Sequence, residues 1–179
     1  MPEPPPGPAQ ADPIVQLCTF RVAGEDYAVD IMRVREIIPP RPVTRVPRAV
    51  AFVEGVVRLR GEVVPVVDLR RRLGFPPEPP TRKTKLVLVR VGPSTLALVV
   101  DEVCEVLRVP RSEIRAAPPL PGSGPRFVLG VCGGDRAPPQ RRGGPARLRL
   151  LLDVRTLLEA PRPGEADAVR AQLEASGRS

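Results

Sequence analysis

The chain contains no histidine, no tryptophan, one tyrosine and four phenylalanines among its 179 residues. Without histidine it lacks the commonest general base, the Ser/His and Cys/His nucleophile pairs, and the usual zinc and copper ligands. It also has no Gly-x-x-x-x-Gly-Lys-Ser/Thr motif and no strand-linked Gly-x-Gly-x-x-Gly motif to hold a phosphate. The sequence therefore predicts a protein that is not an enzyme and has no cofactor or metal.

Long apolar runs and a cysteine framework are also missing. No run approaches the ~18 residues that a membrane span needs, and the N terminus lacks the basic and apolar segments of a secretory signal. Cys18, Cys104 and Cys132 are widely spaced and form no Cys-x-x-Cys pair. We therefore expect small buried thiols in a reducing cytosol. These features predict a cytoplasmic protein without membrane insertion.

The formal net charge of +8 raises nucleic acid as a candidate partner. The basic residues are nearly all arginines spread along the chain, among 26 prolines and 15 glycines. A compositional bias of the coding sequence accounts for this pattern at least as well as phosphate binding does. The few aromatic side chains would supply a base-stacking surface poorly. A nucleic-acid-binding tandem barrel stays as an alternative that the composition disfavours.

From Val15 onward, short β-branched and aliphatic runs alternate with turn residues at roughly eight- to twelve-residue spacing, which is typical of sandwiches and barrels. The predicted strands are Val15–Ala23, Tyr27–Asp30, Arg33–Ile38, Gly55–Leu59, Glu62–Val67, Lys85–Val91, Leu96–Val100 and Val103–Val109. Gly24 and Gly61 supply the turns of two predicted hairpins. Asp68 is a predicted cap of a short helix that ends near Gly74.

The second half of the chain repeats the order of the first. Residues 52–57 match residues 127–132 at an offset of 75, and residues 66–70 match residues 151–155 at an offset of 85. The offset changes because residues 133–146 form an insert rich in Pro, Gly and Arg. Each copy supplies about five strands and a short helix, and closing such a small sheet removes its edges. The sequence thus predicts an all-β protein of two five-stranded barrels related by internal duplication, with short helices at the ends of each half.

The predicted domain limits follow from this duplication. Residues 1–13 form a disordered Pro-rich arm, and residues 14–160 form the duplicated domain. The first barrel takes about residues 28–84, and the second takes about 14–27 and 85–160. Residues 161–179 form a C-terminal tail or helix. Four aspartates lie at equivalent places in the two copies, where caps and turn formers are expected rather than an acid–base pair; they are Asp30, Asp68, Asp101 and Asp153.

Several segments, taken in order, resemble the CheW domain family over about residues 16 to 160. The most specific is residues 55–69, which read Gly-Val-x-x-Leu-Arg-Gly-x-x-x-Pro-Val-x-Asp-Leu. The resemblance implies two SH3-like barrels and a non-enzymatic adaptor that couples the cytoplasmic helical tips of chemoreceptors to the regulatory domain of the histidine kinase CheA. It implies recruitment to the inner face of the membrane through receptors, with other CheW-like domains as further partners. Family members also act in pilus-motility and developmental pathways, which stay open as alternatives.

The resemblance also assigns a receptor-binding groove where the first barrel meets the second. The residues that it places there are Val34, Glu36, Gly55, Leu59, Arg60, Val103 and Val106. In the groove, Arg60 could pair with Glu36 or with a polar group of the receptor. From the residues alone, Val34 could instead face the core, and Arg60 could be a solvated hairpin charge. Gly24, Gly61, Asp68 and Asp153 are assigned to structural turns and caps. The kinase contact is expected on the second barrel, at residues that the sequence does not identify.

Overall fold

In a computed structural model of the chain, residues 12–117, 127–133 and 147–159 are described. The strands are β1 (Ile14–Val22), β2 (Glu25–Asp30), β3 (Val34–Ile38), β4 (Val53–Leu59), β5 (Glu62–Asp68), β6 (Lys85–Val91), β7 (Ser94–Val100), β8 (Glu102–Pro110), β9 (Val128–Gly133) and β10 (Leu148–Leu152). One α-helix, α1 (Leu69–Arg72), follows β5, and single 3-10 turns lie at Ile31–Arg33 and Arg111–Glu113. Within these ranges, no helix has the length and apolar composition needed to cross a bilayer.

The strands form two five-stranded sheets with matching topology. The first sheet has the order β3-β6-β7-β5-β4, and the second has the order β8-β1-β2-β10-β9. Each sheet is mixed, because β5 pairs with β7 in parallel and β10 pairs with β2 in parallel, whereas the other pairs are antiparallel. When the two strand orders are compared position by position, β6 and β7 of the first sheet correspond to β1 and β2 of the second. The all-β class and the two five-stranded units are therefore confirmed.

Each copy of the duplicated unit gives its first hairpin to the other copy. The first sheet combines β3, β4 and β5 with the β6–β7 hairpin, and the second combines β8, β9 and β10 with the β1–β2 hairpin. The barrel limits expected from sequence differ from this partition at two places. Residues 28–30 complete β2 in the second sheet, and residues 85–100 belong to the first sheet. The reason is that the two copies exchange hairpins rather than folding separately.

Alternating side chains on each strand serve two different cores. On β6, Val87 and Val89 enter a large central cluster that draws residues from both sheets, while Leu86 and Leu88 enter a smaller cluster on the other face of the first sheet. The second sheet has a corresponding outer cluster around Leu17. This period of two is the pattern of a strand that is buried on both faces. The central cluster fixes the two sheets against each other.

A buried arginine lies at the joint between the two copies. Arg72 is 4% exposed, and its guanidinium carbon lies 4.9 Å from the ring centre of Phe52 and 4.4 Å from that of Phe127. Phe52 and Phe127 are duplicates of each other at the offset of 75. The Arg72 Nε donates a hydrogen bond of 2.8 Å to the carbonyl oxygen of Leu157, the residue that corresponds to Arg72 in the second copy. One side chain thus connects both halves.

A second connection uses one of the four duplicated aspartates. Asp101, between β7 and β8, receives a two-point contact from Arg70, with distances of 2.8 Å from Nε and 2.7 Å from Nη2. Asp101 also accepts a hydrogen bond of 2.7 Å from the backbone N–H of Ala23, at the turn of the β1–β2 hairpin. Hydrogen bonding to Asp101 raises the pKa of Arg70. The contact ties α1 to the exchanged hairpin.

The other three aspartates each accept a hydrogen bond from a nearby backbone N–H. Asp30 accepts from the N–H of Met32 and caps a 3-10 turn. Asp68 accepts from the N–H of Arg71, three residues ahead, which is the geometry of a helix cap. Asp153 accepts from the N–H of Arg155, only two residues ahead. Residues 154–158 are accordingly turns, so the short helix expected in the second half is corrected to a turn.

Several expectations fall wholly or mostly outside the described residues. They are the disordered Pro-rich arm (only residues 12 and 13 of 1–13 are described), the role of the insert after Gly133, and the tail or helix at residues 161–179. Gly24 and Gly61 have φ values of +82° and +85°, as the predicted hairpin turns require. Cys18 and Cys132 are buried as expected, whereas Cys104 is exposed on β8.

Candidate functional site

A groove opens into the first sheet between β3 and the β4–β5 hairpin. Its volume is about 710 Å³. The lining residues are Met32, Val34, Arg35, Glu36, Ile38, Arg41, Arg58, Leu59, Arg60, Glu62, Val64, Leu88, Arg90 and Thr95. All of them come from the first sheet, its turns or the 3-10 turn that leads into β3. The groove is therefore built within one sheet and not across the joint between the two sheets.

The groove lies over the core of the first sheet, and its apolar surface comes from the half-buried side chains at the edge of that core. Val64 and Leu88 are buried members of the outer cluster, and Ile38 and Leu59 pack against that cluster from the groove side. Met32 stands at one end and is 82% exposed, the most exposed of the large apolar side chains in the described ranges. A ligand with an apolar strip would cover this surface, and a fully exposed methionine side chain adapts readily to such a partner.

A β-bulge shapes the wall formed by β3. Val34 pairs with Val89 and Glu36 pairs with Leu88, so Arg35 is an extra residue on β3. Such a bulge bends the strand and redirects its side chains. Arg35 reaches both Glu62, at 3.2 Å, and the hydroxyl of Thr95. The bulge thereby directs Arg35 across the groove to β5 and β7.

The rim carries an ion pair that the sequence analysis anticipated. Arg60 Nη2 lies 3.0 Å from Glu36 Oε1, and the Arg60 side chain is 82% exposed. Arg60 is the first residue of the two-residue hairpin turn, with φ of +48°. Such an exposed pair contributes little to stability, about 0–1 kcal/mol. Its effect is to hold both charges at fixed places on the rim.

The structure separates the seven residues assigned to receptor contact into three groups. Val34, Glu36, Leu59 and Arg60 line the groove together. Val103 and Val106 lie on β8 of the second sheet, where Val103 packs on the central core and Val106 is exposed. Gly55 is buried inside β4.

Gly55 has a structural reason to be glycine. Its φ is +150°, and a Cβ at this position would lie 2.1 Å from the carbonyl oxygen of Thr44. Thr44 exchanges two backbone hydrogen bonds with Val56, which brings the two chains together here. Gly130, the duplicate of Gly55, is approached in the same way by the carbonyl oxygen of Arg115, at 2.5 Å from a Cβ position. Close backbone approach therefore explains both glycines.

Sequence reasoning missed most of the groove. Arg41, Arg58 and Arg90 lie on three different segments. Arg58 on β4 and Arg90 on β6 reach one rim only through the pairing of β4 with β5, β5 with β7 and β7 with β6. Met32 was also missed, although an apolar residue in a turn after Asp30 is a signal that could have identified it. For Arg58 and Arg90, alternation along a strand predicts exposure but not a shared site.

The described residues offer little for catalysis. Cys104 is exposed as a residue, but partial desolvation of its thiol raises the pKa of that group. A raised pKa keeps a cysteine as the unreactive thiol at neutral pH. No group of three or more potential metal-binding side chains is found within the described residues. The arrangement is that of a binding protein with an apolar, charge-rimmed groove.

The fold and the groove define a two-sheet protein with a binding groove on its first sheet. Comparison with known proteins gives the family: the profile of the CheW-like domain matches residues 16–162. The chain therefore belongs to the CheW-like family, whose members are non-enzymatic scaffolds of chemotaxis signalling.

Individual relatives agree with this placement. The chemotaxis protein CheW of Rhizobium meliloti is 38% identical over 117 residues, which are 65% of this chain and 76% of that protein. Protein FrzA of Myxococcus xanthus is 34% identical over 124 residues, 69% of this chain and 77% of that one. The crystal structure of the scaffolding protein TtCheW from Thermoanaerobacter tengcongensis superposes with a TM-score of 0.71 at 26% identity, covering 82% of this chain and 93% of that chain.

Proposed function

We propose that the chain couples the cytoplasmic helical tips of chemoreceptors to the regulatory domain of the histidine kinase CheA, and that the groove of the first sheet holds the receptor helix. The observation that carries the proposal is the meeting of Val34, Glu36, Leu59 and Arg60 in one groove. These are four of the seven residues that family resemblance assigns to receptor contact. In this role the protein is cytoplasmic and is recruited to the inner face of the membrane through receptors.

The groove has the physical properties that helix-in-groove recognition needs. An apolar floor accepts the apolar face of a helix, and charges on the rim set its register. Leu59 and Ile38, both half-buried, provide the apolar surface, and the Arg60–Glu36 pair provides charges beside it. The second sheet then stays available for the kinase or for other CheW-like domains. Its two edge strands each expose a large apolar side chain, Val106 on β8 and Leu129 on β9.

The sharpest test uses two exposed apolar side chains, only one of which lines the groove. Met32 is 82% exposed within it, whereas Val63 is 61% exposed on β5 and is not among its lining residues. Met32→Asp should weaken binding of a purified receptor-tip helical hairpin by about tenfold or more, because a charge replaces apolar contact area. Val63→Asp, the matched control, should leave that affinity unchanged. Calorimetric titration of both full-length variants gives the two dissociation constants.

Two further substitutions separate groove contacts from folding. Val34 is half-buried and packs against the central core, so the effect of Val34→Asp on receptor affinity is read only after its stability has been measured. Arg60→Ala should cause a smaller loss of receptor affinity than Met32→Asp. Unchanged receptor binding by Met32→Asp, in a variant that folds normally, would refute the proposed groove.

Two alternatives have separate tests. The similarity to Protein FrzA keeps a pathway other than chemotaxis as a second candidate, and co-purification with each candidate kinase and receptor separately would decide it. A nucleic-acid role is disfavoured by the groove itself, because its lining contains no aromatic residue on which bases could stack. A salt-dependent mobility shift with DNA or RNA at physiological ionic strength would instead favour that role.

A further inference from the structure

The charges around the groove are strongly unequal in sign. Five of its lining residues are arginines, and only two, Glu36 and Glu62, are acidic. Both glutamates are already paired: Glu36 with Arg60 at 3.0 Å and Glu62 with Arg35 at 3.2 Å. The electrostatic potential in the groove is therefore positive and is set by the other three arginines, Arg41, Arg58 and Arg90.

Three rim arginines have no partner of their own among the described residues. Arg41, Arg58 and Arg90 are exposed, and none of them forms an ion pair or side-chain hydrogen bond with a residue in the described ranges. They approach the apolar floor from separate segments, namely the loop after β3, strand β4 and strand β6. A free guanidinium beside an apolar surface binds carboxylates in a fixed geometry once a partner displaces water.

From this arrangement we infer that the groove selects a helix that carries acidic residues on both sides of its apolar strip. Met32, Ile38 and Leu59 contact the apolar strip, and Arg58, Arg90 and Arg41 pair with the flanking carboxylates. A small anion alone would leave the floor uncovered, and a polynucleotide would find no aromatic residue in the lining. The choice of a helix rests on the proposed function, whereas the choice of acidic flanks rests on the unpaired arginines.

A pair of synthetic peptides can test the charge preference without any natural receptor. The first is an amphipathic helix with leucines at i, i+3, i+4 and i+7 and glutamates flanking them, and the second has glutamine in place of every glutamate. The full chain should bind the glutamate peptide about tenfold more tightly at low ionic strength. The preference should shrink as salt rises toward 1 M, because salt screens exposed pairs.

Charge reversal locates the preference on the rim. In the double variant Arg58→Glu with Arg90→Glu, the preference for the glutamate peptide should disappear or invert. The matched control is Arg82→Glu with Arg111→Glu, which makes the same change in net charge at two exposed positions that are not in the lining. This control should keep most of the preference for the glutamate peptide, because its rim arginines are unchanged. Long-range attraction by net charge is equal in the two double variants, so a difference between them reports on the rim.

Each outcome decides the inference. Equal binding of the two peptides, binding of neither at 1 mM, or equal loss in both double variants would overturn it. A failure of the receptor assignment would give a different result. Met32→Asp would then leave receptor-tip binding unchanged, while the wild type would still prefer the glutamate peptide and the Arg58→Glu, Arg90→Glu variant would still lose that preference. That combination would mean an acidic helix from another protein occupies the groove.

Discussion

We expect Arg72→Ala to lower the free energy of unfolding by about 3–5 kcal/mol, far more than any exposed arginine would. The side chain is 4% exposed and lies between the rings of Phe52 and Phe127. It also donates to the carbonyl oxygens of Leu157, at 2.8 Å, and Glu159, at 3.4 Å. The substitution thus removes contacts from both copies of the duplicated unit at once.

The magnitude follows from three losses. Each desolvated cation–π contact contributes about 1–2 kcal/mol. Leaving the Leu157 carbonyl without its donor costs about 1–3 kcal/mol. The void left between the two rings adds a packing cost, since surrounding groups relax only in part. These three losses overlap, so they do not simply add. Burying the guanidinium also costs free energy in the wild type, and the substitution removes that cost. We therefore expect a net loss of about 3–5 kcal/mol.

Urea unfolding followed by circular dichroism measures this loss. With a slope of about 2 kcal/mol per molar urea, a loss of 4 kcal/mol moves the midpoint by about 2 M. Arg72→Lys should fall between Arg72→Ala and the wild type, because an ammonium keeps the charge but not the planar stack. Arg71→Ala is the control on the same helix: its side chain is 41% exposed and pairs with Asp68, so about 1 kcal/mol or less is expected. If Arg72→Ala stayed within 1 kcal/mol of the wild type, the joint would not depend on this side chain.

Two further predictions concern single buried positions. Gly55→Ala should lower the free energy of unfolding by about 3 kcal/mol or more, because its Cβ would meet the Thr44 oxygen at 2.1 Å. Gly61→Ala, with open space around it, should lower it by about 1 kcal/mol. Similar shifts of the two urea midpoints would contradict this reasoning. Tyr27→Phe should leave stability unchanged or raise it by about 1 kcal/mol, because the buried Tyr27 hydroxyl has no hydrogen-bond partner among the described residues. Burial also raises the pKa of Tyr27, so above pH ~10 the unfolded chain releases a proton that the folded chain keeps. The wild type should therefore lose stability relative to Tyr27→Phe as the pH rises beyond that value, and parallel stability curves in alkaline buffers would count against the assignment.

Much of the local structure could be predicted from the sequence because it depends on local chemistry. Alternating β-branched runs predicted eight of the strands to within about two residues at most of their ends, as in Lys85–Val91, which is β6 as predicted. Gly61 marked a hairpin turn, since glycine readily takes positive φ. Asp68 marked a helix start, since its carboxylate reaches backbone N–H groups a few residues ahead.

The candidate site was predictable only in part. Val34 and Arg60 were assigned to receptor contact through family resemblance alone, and both line the groove of the first sheet. Arg58 and Arg90 were out of reach, because alternation along a strand says that a side chain faces solvent but not which other strand lies beside it. Burial of Arg72 could not be predicted either, because Arg70, Arg71 and Arg72 follow one another in sequence and only the packing shows which of them is buried.

By itself, the sequence determined that the chain is an all-β duplication, because strand periodicity and turn residues are properties of short stretches. The sequence placed residues 14–27 with the second barrel, but only the tertiary structure decided that β6 and β7 in return complete the sheet of β3, β4 and β5. The physical reason is that the two hairpins are duplicates, and backbone hydrogen bonding alone does not distinguish one from the other. The choice between them is made by packing at the joint, where Arg72, the two phenylalanines and Asp101 meet residues far away in the chain.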